Sequence, residues 1–423
     1  MDDPASCFAA GRAAREAGRL QEAAAAFEQA LQQQPGFLDA RRWLADTLLG
    51  LGNAQVRCHP EAAERLYRHA IYVWPGFFEA MSNLGEALVE QLRLPEALAM
   101  FRAALTLRPT DASTGFSYAV ALLLSGDLAE GWRHFEARRA MAAWHYDRRS
   151  ELPRWREGTE LHGRHLLLMA EQGIGDVLQF ARYLPLLQQR DIAVTLEVPP
   201  TLHPLFSGIV GHCPVVTPED PVPDCDLACP LMSLPLLFRT GLATIPRVMT
   251  ALHVPAERSA AWSERLGPRD GMRIGLVCSG DPRNPNDATR SIPVAAMAPL
   301  FDLPHCRFVL LQSLIREPDL AAVAAAPQLW APRDALGDFA DTAAIVAQLD
   351  LVIAADTGVA HLAATLGRPV WLLLPYRPDW RWMLHRRDTP WYPSMTLYRQ
   401  PRRGNWAAVI DTVRDDLAAM CAA

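Results

Sequence analysis

The sequence predicts a helical repeat domain followed by two lobes of α/β structure, an α plus α/β fold class. Three observations support this prediction. The first third of the chain repeats with a spacing of 34 residues, the middle third places a glycine-rich turn after a short apolar run, and residues 349–375 have the pattern strand, turn, helix, strand. A chain of 423 residues is long enough for about three domains. We place them at residues 1–145, 146–268 and 269–423.

The first domain is predicted from a pattern that ends in proline, with Pro75 and Pro109 being 34 residues apart. Before each proline a small, an aromatic and another small residue recur: Ala23, Ala63 and Ala97, then Phe27, Tyr67 and Phe101, then Ala30, Ala70 and Ala104. This pattern resembles the tetratricopeptide repeat. Pro35 and Pro75 are 40 residues apart, and we place the six extra residues in the loop around 53–59.

Stacked helix pairs of this kind form a concave surface that suits an extended peptide or a partner helix. We therefore expect the repeats to bind a protein or peptide. The alternative is that they only brace the domain that follows.

Composition excludes several classes of protein. A formal charge of −6 gives no reason to expect nucleic acid, and no apolar run reaches the roughly 18 to 20 residues that span a bilayer. The first residues, MDDPASCFAAGR, lack the basic-then-apolar order of a secretory signal, so we expect a cytoplasmic protein. Eight scattered cysteines without paired CxxC spacing indicate reduced thiols, and no metal site is expected.

The middle domain is predicted to place one carboxylate at the start of a helix. An apolar strand at 165–170 is followed by the turn EQGIGD and a helix over 177–189. Gly173 and Gly175 permit a tight backbone path. Asp176 then begins the helix, where the helix dipole is expected to lower its pKa and keep it ionised, as a general base requires. Alternatively, Asp176 is an ordinary N-cap.

The last domain is predicted to gather polar residues at the ends of its strands. Ser279 and Gly280 follow the strand in RIGLVCSG, Arg290 lies in the polar loop after them, and Gln312 follows the strand in RFVLLQS. Carboxyl ends of parallel strands meet at one edge of a sheet, where ligands bind.

The most informative stretch is residues 349–375. An apolar strand leads to Asp356, Thr357 and Gly358, and a helix with apolar residues on one face follows. The positive end of that helix favours a phosphate. Thr357 and His361 are four residues apart and can face the same crevice. The alternative is that Thr357 is an N-cap and His361 a packed histidine.

All 41 basic residues are arginine, because the sequence contains no lysine. This excludes a P-loop lysine and a Schiff-base lysine, so arginines, backbone amides or helix ends must hold any phosphate. A basic run over 377–403 includes Arg381 in the motif PDWRW and has two interpretations: a solvated face, or contacts to phosphate. Trp380, Trp382, Trp391 and Tyr392 could stack on a base or sugar, but we expect core packing.

Three long segments together resemble a known enzyme family: LLLMAEQGIGDVLQFARYLPLL, GLVCSGDPRNPNDATRSIPV and LDLVIAADTGVAHLAATLGRPVWLLLPYRPDWRW. They are similar to the heptosyltransferase-related glycosyltransferases, in the bacterial subgroup with amino-terminal tetratricopeptide repeats. The resemblance implies a GT-B fold of two Rossmann-like lobes. It also implies a nucleotide sugar on the carboxy-terminal lobe, an acceptor facing the amino-terminal lobe, and neither cofactor nor metal.

The same resemblance assigns roles to individual residues. Asp176 aligns with the aspartate that deprotonates the acceptor hydroxyl, and Gly173 and Gly175 lie in its acceptor-side loop. The residues that match the donor-binding motif are Asp356, Thr357, Gly358 and His361. Further donor-binding residues are expected around them: Ser279, Gly280, Arg290, Gln312 and Arg381. The implied reaction is direct attack on the anomeric carbon with inversion, in which Arg290 and the amides of residues 357–358 stabilise the departing diphosphate.

One loop departs from the subgroup pattern W-S-G-N-P-x-H-x-N-D-R-x-R-S. The chain has Cys278, Asp281, Asn284 and Ala288 where tryptophan, asparagine, histidine and arginine are expected, while Arg290 and Ser291 remain. Three functions are therefore considered. They are a glycosyltransferase acting on a protein docked by the repeats, a transferase acting on a saccharide or lipid precursor, and an inactive repeat scaffold.

Overall fold

A computed structural model describes residues 3–141, 149–208, 213–221, 224–247 and 252–422. The chain divides into two compact units, Met1–Trp144 and His145–Ala423. The first unit consists of paired antiparallel helices: α1 (Pro4–Glu16), α2 (Leu20–Gln33), α3 (Leu38–Asn53), α4 (Pro60–Val73), α5 (Phe78–Glu90), α6 (Leu94–Leu107), α7 (Ala112–Ser125) and α8 (Leu128–Phe135). The predicted helical repeats are confirmed.

The small-aromatic pattern of the repeats reflects one recurring contact. In the first three helix pairs, the aromatic ring of the second helix packs on a glycine of the first: Phe27 on Gly11, Tyr67 on Gly52, and Phe101 on Gly85. An added Cβ would lie 2.6 Å from the Phe27 ring at Gly11 and 2.5 Å from the Phe101 ring at Gly85. These three helix pairs therefore pack closely only where glycine leaves room for the ring.

The six extra residues of the second repeat are not all in a loop. Helix α3 has 16 residues, whereas α1 and α5 have 13 each. The α3–α4 connection over 54–59 is also longer than the α1–α2 connection over 17–19. Placing the whole insertion in the loop was wrong, because one extra helical turn buries Leu51 and brings Gly52 against Tyr67.

The second unit begins with a four-stranded parallel sheet in the order β3-β2-β1-β4. Its elements are β1 (His165–Met169), α9 (Ile174–Phe180), α10 (Leu184–Gln188), β2 (Ala193–Glu197), α11 (His203–Phe206), β3 (Val215–Val216), β4 (Leu227–Pro230), α12 (Leu234–Leu237) and α13 (Ala256–Leu266). The single helix predicted over 177–189 is wrong. It starts at Ile174 and is interrupted by a 3-10 turn at Ala181–Tyr183, because Pro185 cannot donate a backbone hydrogen bond to the preceding turn.

The rest of this unit contains a six-stranded parallel sheet in the order β10-β9-β8-β5-β6-β7. Its elements are β5 (Met272–Val277), α14 (Asp287–Arg290), α15 (Ala298–Phe301), β6 (Cys306–Leu310), α16 (Glu317–Ala324), β7 (Leu329–Trp330), α17 (Phe339–Val346), β8 (Leu351–Ala355), α18 (Gly358–Thr365), β9 (Val370–Leu374), β10 (Met395–Arg399) and α19 (Trp406–Ala422). The strand order reverses between β5 and β8, as in a doubly wound fold. Two α/β lobes therefore follow the repeats, as predicted.

The second sheet forms the core of its lobe, because its strands are mostly apolar and buried. Every residue of β8 is buried, as expected for a parallel strand covered on both faces. Helix α19 packs on the same core through Val409, Val413 and Leu417. No disulfide is found among the described residues, which include all eight cysteines, and Cys306 Sγ lies 3.2 Å from Cys421 Sγ. Within the described ranges, no helix combines the length and apolar character needed to cross a membrane.

Substitution of Gly85 by alanine tests the glycine–ring contact. We expect Gly85→Ala to lower the free energy of unfolding of the repeat unit by about 1 to 3 kcal/mol, because the new methyl group overlaps the buried Phe101 ring. Gly50→Ala is the matched control, since it is also in a helix but its Cβ would meet only Leu20 Cδ1 at 3.5 Å. The control should be neutral or stabilising by up to about 1 kcal/mol. Denaturant unfolding followed by circular dichroism measures both, and equal effects would contradict the packing argument.

Candidate functional site

The candidate site lies at the carboxyl ends of β5 and β8, where the strand order reverses. Loops that follow such neighbouring strands diverge and leave a crevice between them. Ser279 and Gly280 follow β5, and Asp356 and Thr357 follow β8. The structure therefore brings together the two loops that the sequence analysis singled out.

The loop after β5 is held by Gln312. Its Oε1 accepts hydrogen bonds from the backbone N–H of Cys278 at 2.9 Å and of Ser279 at 3.3 Å. Its Nε2 donates to Ser279 Oγ at 3.1 Å. Gln312 and Ser279 are both buried, so their role in this structure is to fix the path of the loop.

Asp287 is central to this loop but was missed by the sequence analysis. Its carboxylate accepts hydrogen bonds from Gly280 N at 3.1 Å and Ser291 Oγ at 3.2 Å, and it forms ion pairs with Arg290 and Arg316. The side chain is buried, which explains why it is surrounded by donors. An aspartate stands at this place in the subgroup pattern, and that signal could have identified it.

Arg290 connects the two loops. Its Nη1 donates to the backbone oxygen of Asp356 at 2.7 Å. A Cβ at position 280 would lie 2.5 Å from Arg290 Nη2, so glycine is needed there for the guanidinium to approach. Arg290 is therefore at the crevice, as predicted.

The Asp356 carboxylate is largely withdrawn from solvent. Its Oδ2 accepts a hydrogen bond from Trp382 Nε1 at 2.8 Å. Burial and the nearby Asp379 raise the pKa of Asp356 to about 6, although Trp382, Arg381 and Arg290 oppose the shift. A carboxyl group whose pKa is raised toward 7, located at the end of a strand, is characteristic of functional sites.

Thr357 occupies the N-cap position of α18 but does not act as a cap. Its side chain makes no capping hydrogen bond, and Thr357 Oγ1 is buried without a hydrogen-bond partner among the described residues. Buried hydroxyls are normally paired. An unpaired hydroxyl beside the free amides of a helix start leaves a place for a ligand oxygen.

His361 is a packed histidine that contacts the other lobe. Its Nδ1 lies 2.8 Å from the Tyr392 hydroxyl. A Cβ at Gly175 would lie 2.7 Å from His361 Cδ2, so the 173–176 turn closes directly on this ring. Burial lowers the pKa of His361 well below its usual value, and three arginines add to the effect, so the imidazole is neutral. This was the alternative considered for His361.

Asp176 lies across the crevice from α18 and is engaged through both oxygens. Oδ2 accepts from Gly173 N at 2.7 Å, and Oδ1 accepts from Arg381 Nη2. Burial raises the pKa of Asp176, against the attraction of Arg381 and the hydrogen bond from Gly173. The expectation of a lowered pKa was wrong, because it considered the helix start and not the burial between the lobes.

Arg381 is shared between the two lobes. It donates to Asp176 and to Gln179 Oε1 on α9, and its Nη1 donates to Asp379 Oδ1 at 2.9 Å. The guanidinium also lies 4.2 Å from the centroid of the Trp380 ring. Burial would lower the pKa of Arg381, but Asp379 and Asp176 raise it, so the side chain remains charged.

Sequence reasoning also missed Gln179, Arg182 and Tyr392 as parts of this arrangement. Arg182 belongs to the first lobe and is 1% exposed, yet it donates to Trp391 O at 2.8 Å in the second. Its guanidinium carbon lies 4.8 Å from the centroid of the Tyr392 ring. No local pattern marks these residues, because each acts on a partner far away in sequence.

The other aromatic and basic residues of the 377–403 segment pack in the core or form ion pairs at the surface. Trp380, Trp382, Trp391 and Tyr392 are all buried, which confirms the prediction of core packing. In the basic run, Arg386 pairs with Asp388 and Arg387 with Asp416, as in an exposed charged face. Arg381 is the buried member that reaches the crevice. Among the described residues, no cluster of three or more metal-ligating side chains is found.

Comparison with known proteins agrees with this organisation. Residues 14–55 and 59–112 match models of the tetratricopeptide repeat, and residues 332–399 match the model of glycosyltransferase family 9 (heptosyltransferase). The chain carries tetratricopeptide repeats and a heptosyltransferase-like domain. This supports the prediction that it is a glycosyltransferase enzyme.

Individual proteins are similar to this chain over different shares of its length. Protein FlbA of Caulobacter vibrioides is 28% identical over 95% of this chain and 70% of its own length. A glycosyltransferase family 9 structure from Veillonella parvula covers 62% of this chain and 97% of its own, with 11% identity and a TM-score of 0.45. E. coli ADP-heptose LPS heptosyltransferase II covers 61% and 98%, with 12% identity and a TM-score of 0.40.

The heptosyltransferase-like match includes one half of the candidate site. Residues 332–399 contain Asp356, Thr357, His361 and Arg381. Asp176 and the 173–175 turn lie outside the matched residues and join the site through the Arg381 ion pair and the His361 contact.

Substitution of Asp356 by asparagine tests the cost of its charge. Because the pKa of Asp356 is raised from 3.8 to about 6, the folded protein favours the protonated carboxyl over the carboxylate. The stability that goes with the protonated form is fully present below about pH 4 and is lost as the pH rises through 6. Asp356→Asn should therefore unfold with a free energy higher than wild type by about 1 to 3 kcal/mol above pH 6, with the difference shrinking toward pH 4. Denaturant unfolding at several pH values measures this.

Asp334→Asn is the control for that pH series, because Asp334 is an exposed carboxylate of the same lobe. We expect its difference from wild type to be small at every pH. A loss of stability in Asp356→Asn at all pH values would contradict the assignment of a destabilising charge.

Proposed function

We propose that the chain transfers a sugar from a nucleotide-sugar donor to an acceptor hydroxyl. The observation on which this depends is the placement of Asp176 from one lobe opposite the start of α18 from the other, with Arg381 between the two loops. The heptosyltransferase-like match over 332–399 supports the reaction class.

The donor is proposed to bind on the second lobe with its diphosphate near the start of α18. The Thr357 hydroxyl and the first amides of α18 are available to phosphate oxygens, and Arg290 and Arg381 supply positive charge. A helix terminus contributes up to about 1 kcal/mol and a charge-assisted hydrogen bond about 1.5 to 3. Micromolar affinity requires about 8 kcal/mol, so contacts to the base and sugar must add to the phosphate contacts.

Asp176 is proposed as the general base. The acceptor oxygen would attack the anomeric carbon as the bond to the diphosphate breaks, giving inversion, and the hydroxyl proton would pass to the carboxylate of Asp176. Its raised pKa suits this role, because a base with a pKa nearer the working pH accepts a proton more readily. The arginines and helix start would stabilise the leaving diphosphate, so the proposal requires neither metal nor cofactor.

The acceptor is proposed to be a protein docked by the repeats. Stacked helix pairs bind peptides and helices, whereas a transferase of small molecules has no evident use for eight such helices. A saccharide or lipid precursor remains the alternative acceptor. The proposed location is the cytoplasm, because the cysteines form no disulfide in the described residues, as in proteins of reducing compartments.

Substitution of Asp176 by asparagine tests the proposed base. We expect Asp176→Asn to retain donor binding but to lose transfer by about 10²- to 10⁴-fold, the usual contribution of general base catalysis. Calorimetric titration with a panel of nucleotide sugars measures binding, and release of the nucleoside diphosphate measures turnover. Asp191→Asn is the matched control, because it is exposed and lies in the same lobe. Full transfer by the Asp176 variant would refute the assignment of the base.

Deletion of residues 1–140 tests the protein acceptor. The two compact units suggest that residues beyond the repeats keep their fold, which donor binding by calorimetry verifies. With a labelled nucleotide sugar and an extract of the source cells, the full chain should label protein and the truncated chain should not. Equal labelling by both chains, or label found only in small molecules or lipids, would favour the alternative acceptor.

A further inference from the structure

Arg381 is bound by acidic groups from both lobes. Asp379 is two residues away in the same loop and accepts from the Arg381 backbone N–H at 3.0 Å and from its Nη1 at 2.9 Å. Asp176 reaches the same guanidinium from the first lobe. The Arg381 side chain is only 9% exposed, so these acids largely replace water around it.

The region that would receive a diphosphate already contains several carboxylates. Asp176, Asp379 and Asp356 lie around Arg381, and Trp382, the residue after it, donates to Asp356. A diphosphate placed at the start of α18 would bring further negative charge next to these groups. Like charges at close range are unfavourable, so one carboxylate must give up its share of the guanidinium when an anion binds.

Asp379 and Asp176, the two carboxylates that pair with Arg381, differ in how easily they can release it. Asp379 is tied to Arg381 through both the backbone and the side chain of a single short turn. Asp176 belongs to the other lobe, and its second oxygen accepts from Gly173 N at 2.7 Å, a hydrogen bond in which Arg381 takes no part. Asp176 can therefore lose the arginine and keep its position.

We propose that Asp176 and the diphosphate of the donor compete for Arg381, so that the ion pair breaks when the donor binds. The inference rests on the proposed function, because it takes the donor to be a nucleoside diphosphate derivative. Arg381 then pairs with Asp176 before the donor arrives and with the phosphate afterwards. The carboxylate of Asp176 is released to accept a proton only when a donor is present.

This competition predicts an unusual effect of removing the base. Asp176→Asn should bind the nucleoside diphosphate more tightly than wild type by about three- to thirtyfold, the range of coupling between contacting charged groups. Arg381→Gln should bind it more weakly by about tenfold or more, because charge-assisted hydrogen bonds are lost. Calorimetric titration with UDP, GDP, ADP and CDP on the full chain measures these changes without any acceptor.

The double variant separates competition from simple repulsion. If Asp176 weakens binding by occupying Arg381, the gain from Asp176→Asn should largely disappear in the Arg381→Gln background. If Asp176 only repels the anion, the gain should persist there. Asp379→Asn serves as the comparison, because its partner Arg381 is in the same turn and its carboxylate does not cross between the lobes.

Each outcome has a defined meaning. A gain in Asp176→Asn that depends on Arg381 supports the inference. Unchanged or weaker binding in Asp176→Asn, or a gain that persists without Arg381, overturns the inference and leaves the proposed function in place. No binding of any of the four diphosphates by wild type or variants overturns both. Circular dichroism of each variant verifies that a loss of binding does not reflect unfolding.

Discussion

The guanidinium of Arg381 is a charged contact between the two α/β lobes around which the candidate site is built. A buried cation is costly unless it is paired, and Arg381 takes its partners from both lobes: Asp379 from its own turn, and Asp176 and Gln179 from α9. Removing either set would leave the buried charge with fewer partners. The close approach of the 173–176 turn to α18 also depends on glycine, because a Cβ at Gly175 would lie 2.7 Å from the His361 ring and a Cβ at Gly358 would lie 3.2 Å from Ile174.

The same cluster sets the protonation of its neighbours. Asp356 has a raised pKa because it is buried beside Asp379, whereas His361 is neutral because it is buried beside Arg381, Arg182 and Arg290. Neither state could be assigned from the residue alone. A buried carboxyl with a raised pKa and a buried neutral imidazole, both next to Trp382, are costly for stability. Such costs concentrate at sites where function requires them.

Sequence reasoning was reliable where the structure is local. The apolar run of β8, the turn at 356–358 and the helical period of α18 follow from neighbouring residues, and all are present. Repeat spacing gave the helix pairs for the same reason. Sequence reasoning failed for the pKa of Asp176. Burial between the lobes raises that pKa, and an arginine 205 positions away opposes the shift. Arg182 and its partner Trp391 are separated by 209 positions, so no local pattern could have linked them.

In the structure, the altered loop after β5 is weaker evidence for an inactive scaffold than it is in the sequence alone. The side chains of three unusual residues take no part in the hydrogen bonds among Gly280, Asp287 and Arg290: Cys278 is in the core, Ala288 is exposed, and Asp281 pairs with Arg283 at 2.7 Å. The side chain and backbone N–H of Arg283 lower the pKa of Asp281 to about 2, and the guanidinium offsets its negative charge.

The residues that the loop has kept are those that build the site. Gly280, Asp287 and Arg290 connect β5 to the backbone of Asp356 through consecutive hydrogen bonds. The frame of the crevice thus persists despite the four substitutions. What decides between an active enzyme and a scaffold is then not this loop but whether Arg381 can leave Asp176. An ion pair that never opened would hold Oδ1 of the proposed base Asp176 and keep the arginine from phosphate, whereas one that opens supplies both groups at once.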